Sequence, residues 1–133
     1  MNYLLVGAAG MIGALLRYAL GLAVPGDVAN GAFPAGTFIA NMVGSFVLGW
    51  FTTHIIALKR LHPHLLTAIG TGLIGSFTTF STFSVETVQL LRGGYTEMAF
   101  FYAGISLIGG LFMSAAGFYV GIALFKRRGE VAE

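Results

Sequence analysis

Between Gly75 and Glu86 the chain reads G-S-F-T-T-F-S-T-F-S-V-E, placing Ser76, Thr78, Thr79, Ser81, Thr82 and Ser84 among Phe77, Phe80 and Phe83. This hydroxyl-rich string lies inside a run long enough to cross a bilayer. A hydroxyl in hydrocarbon is costly unless it is hydrogen-bonded, so such a density indicates a lined path or an interrupted helix. Gly70, Gly72 and Gly75 precede it, and glycine lowers the cost of unwinding. An unwound turn at membrane depth frees carbonyls for a cation and amides for an anion. The bland alternative is a continuous helix in which each Ser or Thr bonds back to the carbonyl four residues earlier.

The three phenylalanines recur every third residue and would form a slowly drifting stripe on one helix face. Such a stripe usually serves packing or lipid contact. A phenyl ring also has a positive edge, which can hold an anion weakly without a formal charge. Weak holding suits conduction, because a tightly bound ion does not leave. Asn41, deep in a second apolar stretch, offers two donors and an acceptor and serves either as interhelical glue or as a pore donor. Tyr102 and Ser106, four residues apart, share a helix face where packing is the default reading. Arg17, near the far end of the first stretch, snorkels to the interface or lines an anion-gathering vestibule. Glu86 is expected to face water or a partner, and His54 to be interfacial. His62 and His64 fit a solvated loop, with no third ligand nearby for a metal.

The elements that must carry these residues follow from composition. Of 133 residues, 56% are hydrophobic and 9% charged, against about 25% charged in soluble domains. A soluble domain of this size could not hide so much apolar surface. There is no cysteine, which excludes disulfides and thiolate chemistry. Seven cations against five anions are too few for a nucleic-acid footprint. Neither a phosphate loop nor a catalytic triad can be assembled, so an enzyme is not expected.

Four stretches are long enough to span, at about 2–24, 35–58, 65–91 and 98–125, within a single domain. Met1 to Leu16 lacks Lys and Arg, so the basic leader of a secretory signal is missing and a retained helix is expected. Pro25, Gly26, Asp27, Asn30, Gly31 and Pro34 mark a turn-rich connection. Arg92-Gly93-Gly94 closes the third stretch, with glycine supplying a left-handed cap. Gly10, Gly13, Gly104, Gly117 and Gly121 are candidates for close helix contacts in lipid. Four thin helices cannot readily enclose a hydrated pore, so an oligomer is expected.

Taken together these segments resemble the small bacterial fluoride channels, the Fluc or CrcB family. The resemblance rests on Gly10-x-x-Gly13-x-x-x-Arg17-Tyr18, Gly36-Thr37-Phe38-x-x-Asn41-x-x-Gly44, Gly75-x-x-Thr78-Thr79-Phe80-Ser81-Thr82-Phe83-Ser84-x-Glu86 and Tyr102-x-x-x-Ser106. It implies an all-α integral membrane subunit of four helices, the third broken, assembling as an antiparallel, dual-topology homodimer in the bacterial plasma membrane. Two separate pathways would carry fluoride passively out of the cytoplasm. By the same resemblance Phe80 and Phe83 flank the ion, Asn41 supports them, and Tyr102 and Ser106 line the route from the fourth helix. Arg17 would sit toward an aqueous vestibule, and the backbone carbonyls of Gly75 and Thr78 in each chain would hold a structural sodium ion. One departure is Ser76-Phe77, where relatives often carry glycine and leucine.

A dual-topology proton-coupled small-molecule exporter is the rival of similar size. Such exporters resemble one another in an acid within the first helix, which this chain lacks. Charge placement pulls against dual topology. Lys59, Arg60, Lys126, Arg127 and Arg128 fall on the side of both termini, and Arg92, with Arg17, on the other. The positive-inside rule then favours cytoplasmic termini.

Overall fold

The computed structural model describes residues 2–55 and 61–130, with backbone alone for residue 2 and residues 127–130. The end of the expected second span (56–58) and the loop cations Lys59 and Arg60 lie outside the described residues. All regular structure among the described residues is helical. The elements are α1 (Asn2–Ala23), α2 (Ala35–Trp50), α3 (Pro63–Thr67), α4 (Gly75–Phe77), α5 (Phe80–Arg92) and α6 (Thr96–Glu130).

Two wide π-helical turns modify this plan. One, Phe51–Ile55, extends α2; the other, Ala68–Ile74, joins α3 to α4. The expected third span is therefore one winding path from Pro63 to Arg92, interrupted at Thr78 and Thr79. Both residues are extended, at φ −78°, ψ 158° and φ −152°, ψ 124°. The interruption follows the glycines and does not include them. Gly70 and Gly72 lie in the π-turn, where their missing side chains admit neighbours. A Cβ on Gly72 would sit 2.7 Å from the carbonyl of Val6, and one on Gly70 3.4 Å from the ring of Phe51.

Glycine sets the other close approaches. Gly13 brings α1 against the Leu73 carbonyl, and a Cβ there would also lie 3.1 Å from the Phe77 amide. Gly117 and Gly121 let α6 close on Phe46 and Thr53 of the α2 arm, and Gly49 meets the Ser114 carbonyl from the opposite side. Small residues thus replace the hydrophobic drive that lipid cannot supply. Gly104, expected in the same role, has nothing within 4 Å of its would-be Cβ and makes no such contact within the chain.

Helix ends follow local chemistry. Gly94, at φ +84°, reverses the chain after α5, and the amide of Tyr95 reaches back to the Leu90 carbonyl at 2.9 Å. Gly31, at φ +79°, closes a short 3-10 turn, Val28–Asn30. α6 covers 35 residues, roughly 50 Å at 1.5 Å per residue, well beyond an apolar bilayer core of about 30 Å. Its apolar start joins α5 in a small core of Leu90, Ala99 and Tyr102, with Phe33, Phe38 and Phe83 packed around it. His54, expected at an interface, is instead buried in the first π-turn and stacked on Trp50 at 5.7 Å.

Candidate functional site

Thr78 and Thr79 break the hydrogen-bond ladder, and in hydrocarbon each orphaned backbone group costs several kcal/mol. Three neighbouring side chains repair the gap. Asn41 of α2 clasps Thr79: its Nδ2 donates to the Thr79 carbonyl at 3.0 Å, and its Oδ1 accepts from the Thr79 amide at 2.8 Å. Thr79 caps α5, its Oγ1 accepting from the Thr82 amide at 3.1 Å. Arg17 of α1 donates through Nε to the Ser76 carbonyl at 3.1 Å. The break is thus a built, hydrogen-bonded feature.

The hydroxyl run divides between the two readings of its sequence. Thr78 and Ser84 bond back to the carbonyls of Ile74 and Phe80, at 3.1 and 2.8 Å, as an ordinary membrane helix would. The Thr79 hydroxyl bonds to those of both Ser81 and Thr82, and Thr82 also accepts from Arg17 at 3.4 Å. The phenylalanine stripe divides too. A periodicity of three cannot run through an extended pair, so Phe77 parts from Phe80 and Phe83, whose ring centroids are 5.8 Å apart.

A groove of about 530 Å³ opens beside the break. Asn41, Gly75, Thr78, Phe80, Phe83 and Ser106 all line it, so most of the residues singled out from sequence converge on one wall. Ser106 presents a buried Oγ with no hydrogen-bond partner among the described residues. Phe80 is 79% exposed, whereas Phe83 packs on Tyr102 at a centroid distance of 5.0 Å. Tyr102 itself is fully buried behind Phe83 and does not line the groove.

Glu86, expected to face water or a partner, is held within the chain. The hydroxyls of Thr37 and Tyr102 donate to its Oε1 and Oε2 at 2.7 and 2.8 Å. An acid within an apolar span needs such partners, and that requirement is the signal from which this triad was findable. Thr79, a hydroxyl residue just ahead of the apolar start of α5, is likewise a recognisable N-cap. On the far flank of α5 a second cleft of about 440 Å³ is lined by Arg17, Tyr18, Thr37, Thr82 and Glu86. Arg17 thus borders this cleft with two of its nitrogens already engaged.

A clasped break in the third of four apolar segments, with aromatic and hydroxyl groups along one groove, frames the sequence comparison. The family model described as CrcB-like protein, Camphor Resistance (CrcB), matches residues 4–118. This chain belongs to the CrcB family. A relative in Geobacillus kaustophilus, called fluoride-specific ion channel FluC 2, is 53% identical over 109 residues, covering 82% of this chain and 84% of that protein. One in Bacillus cereus, called fluoride-specific ion channel FluC 1, is 49% identical over 107 residues, covering 80% and 77%. A FluC 2 protein of Listeria innocua is 42% identical over 109 residues, covering 82% and 81%. In this CrcB protein Tyr3–Ala23, Ala35–Ile55 and Thr96–Lys126 are each long and apolar enough to cross a membrane. These three helices are those of a multi-pass membrane protein, and the interrupted path from Pro63 to Arg92 packs among them.

Proposed function

We propose that this chain is a fluoride-selective channel that lets the ion leave the bacterial cytoplasm down its electrochemical gradient. The observation that carries the reading is the groove, which Ser106 lines together with Phe80 and Phe83 and where the Ser106 hydroxyl is buried with no hydrogen-bond partner among the described residues. A buried donor without an acceptor is costly, and a small anion that accepts hydrogen bonds strongly would complete it. The relatives called fluoride-specific channels align across most of the chain. Passage requires that donors and aromatic edges replace the hydration shell without binding too tightly.

The conducting unit is an antiparallel, dual-topology homodimer with two pathways. One groove is open on its side and Phe80 lies exposed at its rim, which supports completion by a second copy. Asn41 holds the wall in place, Phe80 and Phe83 flank the ion, and Ser106 donates to it. Tyr102 acts from behind, backing Phe83 and anchoring Glu86, and Arg17 borders the vestibule cleft.

Sodium is the resident cation of this reading. Thr78 is extended, so its carbonyl is turned out of the helical ladder, and Gly75 lines the same groove. Neutral main-chain oxygens are hard donors that suit a monovalent cation, and the described residues hold no cluster of three or more His, Cys, Asp or Glu for a transition metal. The carbonyls of Gly75 and Thr78 from two copies would hold the ion and pin the crossing of the two interrupted spans. Exchange of sodium for a bulky organic cation is expected to loosen the dimer on size exclusion and slow fluoride flux together. Protein that keeps both after complete exchange would contradict the cation's role. The channel reading itself is tested by fluoride release from proteoliposomes, with chloride release measured alongside.

A further inference from the structure

We propose that Arg17 is a positioning residue, which ties the two halves of the interrupted span together instead of serving as a free charge at the pore mouth. The inference rests on the channel reading only for what is being positioned, namely Phe80 and Phe83.

The two acceptors of Arg17 stand on opposite sides of the break. Nε donates to the carbonyl of Ser76, in α4, at 3.1 Å, and Nη1 reaches the hydroxyl of Thr82, in the first turn of α5, at 3.4 Å. Thr82 Oγ1 also takes the Thr79 hydroxyl at 3.0 Å, and the backbone of Thr79 is held by Asn41. A continuous hydrogen-bonded chain therefore runs from α1 through Arg17, Thr82 and Thr79 to Asn41 of α2, across the one point where the third span has no ladder of its own.

α1 is a firm base for this reach. Gly13 lies against the carbonyl of Leu73, and a Cβ on Gly10 would sit 3.2 Å from Ser76 Oγ, so α1 is docked on the first half of the span without help from Arg17. Phe80 and Phe83 flank Thr82 in the same turn of α5, so a shift of that turn moves both rings. The geometry uses a property that arginine has and lysine lacks. Donors on separate nitrogens of one rigid plane can engage two acceptors in fixed directions, whereas an ammonium is a single point charge. A vestibule charge would work equally well as lysine.

Fluoride efflux from proteoliposomes, measured against fluoride concentration for Arg17→Lys, Arg17→Gln, Thr82→Val and the Arg17→Lys/Thr82→Val double variant, separates the two roles. Arg17→Lys is expected to fall as far as Arg17→Gln, by at least about tenfold in maximal rate, since small misplacements of a working group are costly. Its half-saturating fluoride concentration should stay at the wild-type value. Thr82→Val, which removes one hydroxyl and no charge, is expected to lose less, and the double variant to be no worse than Arg17→Lys alone. Wild-type flux in Arg17→Lys, a raised half-saturation with intact maximal rate, or a double variant that loses the product of both single losses would overturn the proposal. Should Arg17→Lys fail to assemble, Thr82→Val decides, and wild-type flux in it counts against the tie. If the wild-type protein passes no fluoride, the channel reading fails by itself. Amide hydrogen exchange then decides for Arg17: faster exchange from Ser81 to Ser84 in Arg17→Lys or Thr82→Val supports the tie, and unchanged exchange refutes it.

Discussion

Asn41 bears most directly on how this chain tolerates non-helical backbone in a membrane. Its amide gives Thr79 both a donor and an acceptor, at 3.0 and 2.8 Å, a pairing that a single short hydroxyl does not span. Asn41→Ser cannot bridge both groups and should destabilise the protein by about 1–3 kcal/mol, the range for leaving a buried polar group unpaired. Asn41→Asp keeps the acceptor but turns an oxygen toward the Thr79 carbonyl and, when ionised, repels an anion in the groove. Fluoride flux is therefore expected to rank wild type above Asn41→Ser above Asn41→Asp, with lower melting midpoints for both variants. The comparison is made across pH, because burial raises a carboxyl's pKa, and Asn41→Asp passing as much fluoride as Asn41→Ser at every pH would sink this account of the clasp. The importance of Asn41 was visible in the sequence because an amide amid apolar residues needs a partner. Its partner was not, since Thr79 lies 38 positions away and only the approach of α2 to the break joins them. Glu86 teaches the same lesson: it was expected to face water or a partner, but Thr37 and Tyr102 reach it from two other helices.

At the scale of elements, the hydropathy pattern located the three long helices Tyr3–Ala23, Ala35–Ile55 and Thr96–Lys126 to within a few residues where they are described, and the glycines and hydroxyls pointed to an interruption between the second and the last. The sequence offered Gly70, Gly72 and Gly75 as residues that ease unwinding, just ahead of the hydroxyl run. The chain instead stays helical through those glycines in a π-turn and breaks at Thr78 and Thr79. Local propensity favours the glycines, but the break settles where Asn41, Arg17 and Thr79 can satisfy the freed groups, and that is a tertiary condition. The glycines serve packing, and Gly13 tests this. A methyl at Gly13 runs into the Leu73 carbonyl and sits 3.1 Å from the Phe77 amide. Gly13→Ala is expected to destabilise by about 1–3 kcal/mol, as overpacking does. Gly7→Ala, on the same helix with nothing within 4 Å of the added carbon, should leave the thermal midpoint unchanged or raised. Equal midpoints for both variants would show that α1 is not seated on the third span as described.

For the whole molecule, orientation and assembly are linked. On the four-span reading of the sequence, five cations, Lys59, Arg60, Lys126, Arg127 and Arg128, would fall on the side of the termini, and such a bias normally fixes one orientation. An antiparallel homodimer needs both. Reporter fusions at the C-terminus, one active in the cytoplasm and one outside it, are both expected to give signal on the proposed antiparallel homodimer, in which a second, inverted copy would cover the exposed Phe80 and the groove beside the break. A cytoplasmic signal alone would rule out the homodimer and point to an oppositely inserted partner chain with a matching third span.

Passive release of fluoride from liposomes containing the purified protein, followed with a fluoride electrode, tests the central claim most directly. The protein should release fluoride without any proton gradient and leave the chloride of a matched preparation inside. Phe80→Ile and Phe83→Ile, which fill the same space without an aromatic edge, should each slow the release. No fluoride release from correctly assembled wild-type protein, equal release of chloride, or undiminished flux in both phenylalanine variants would contradict the account.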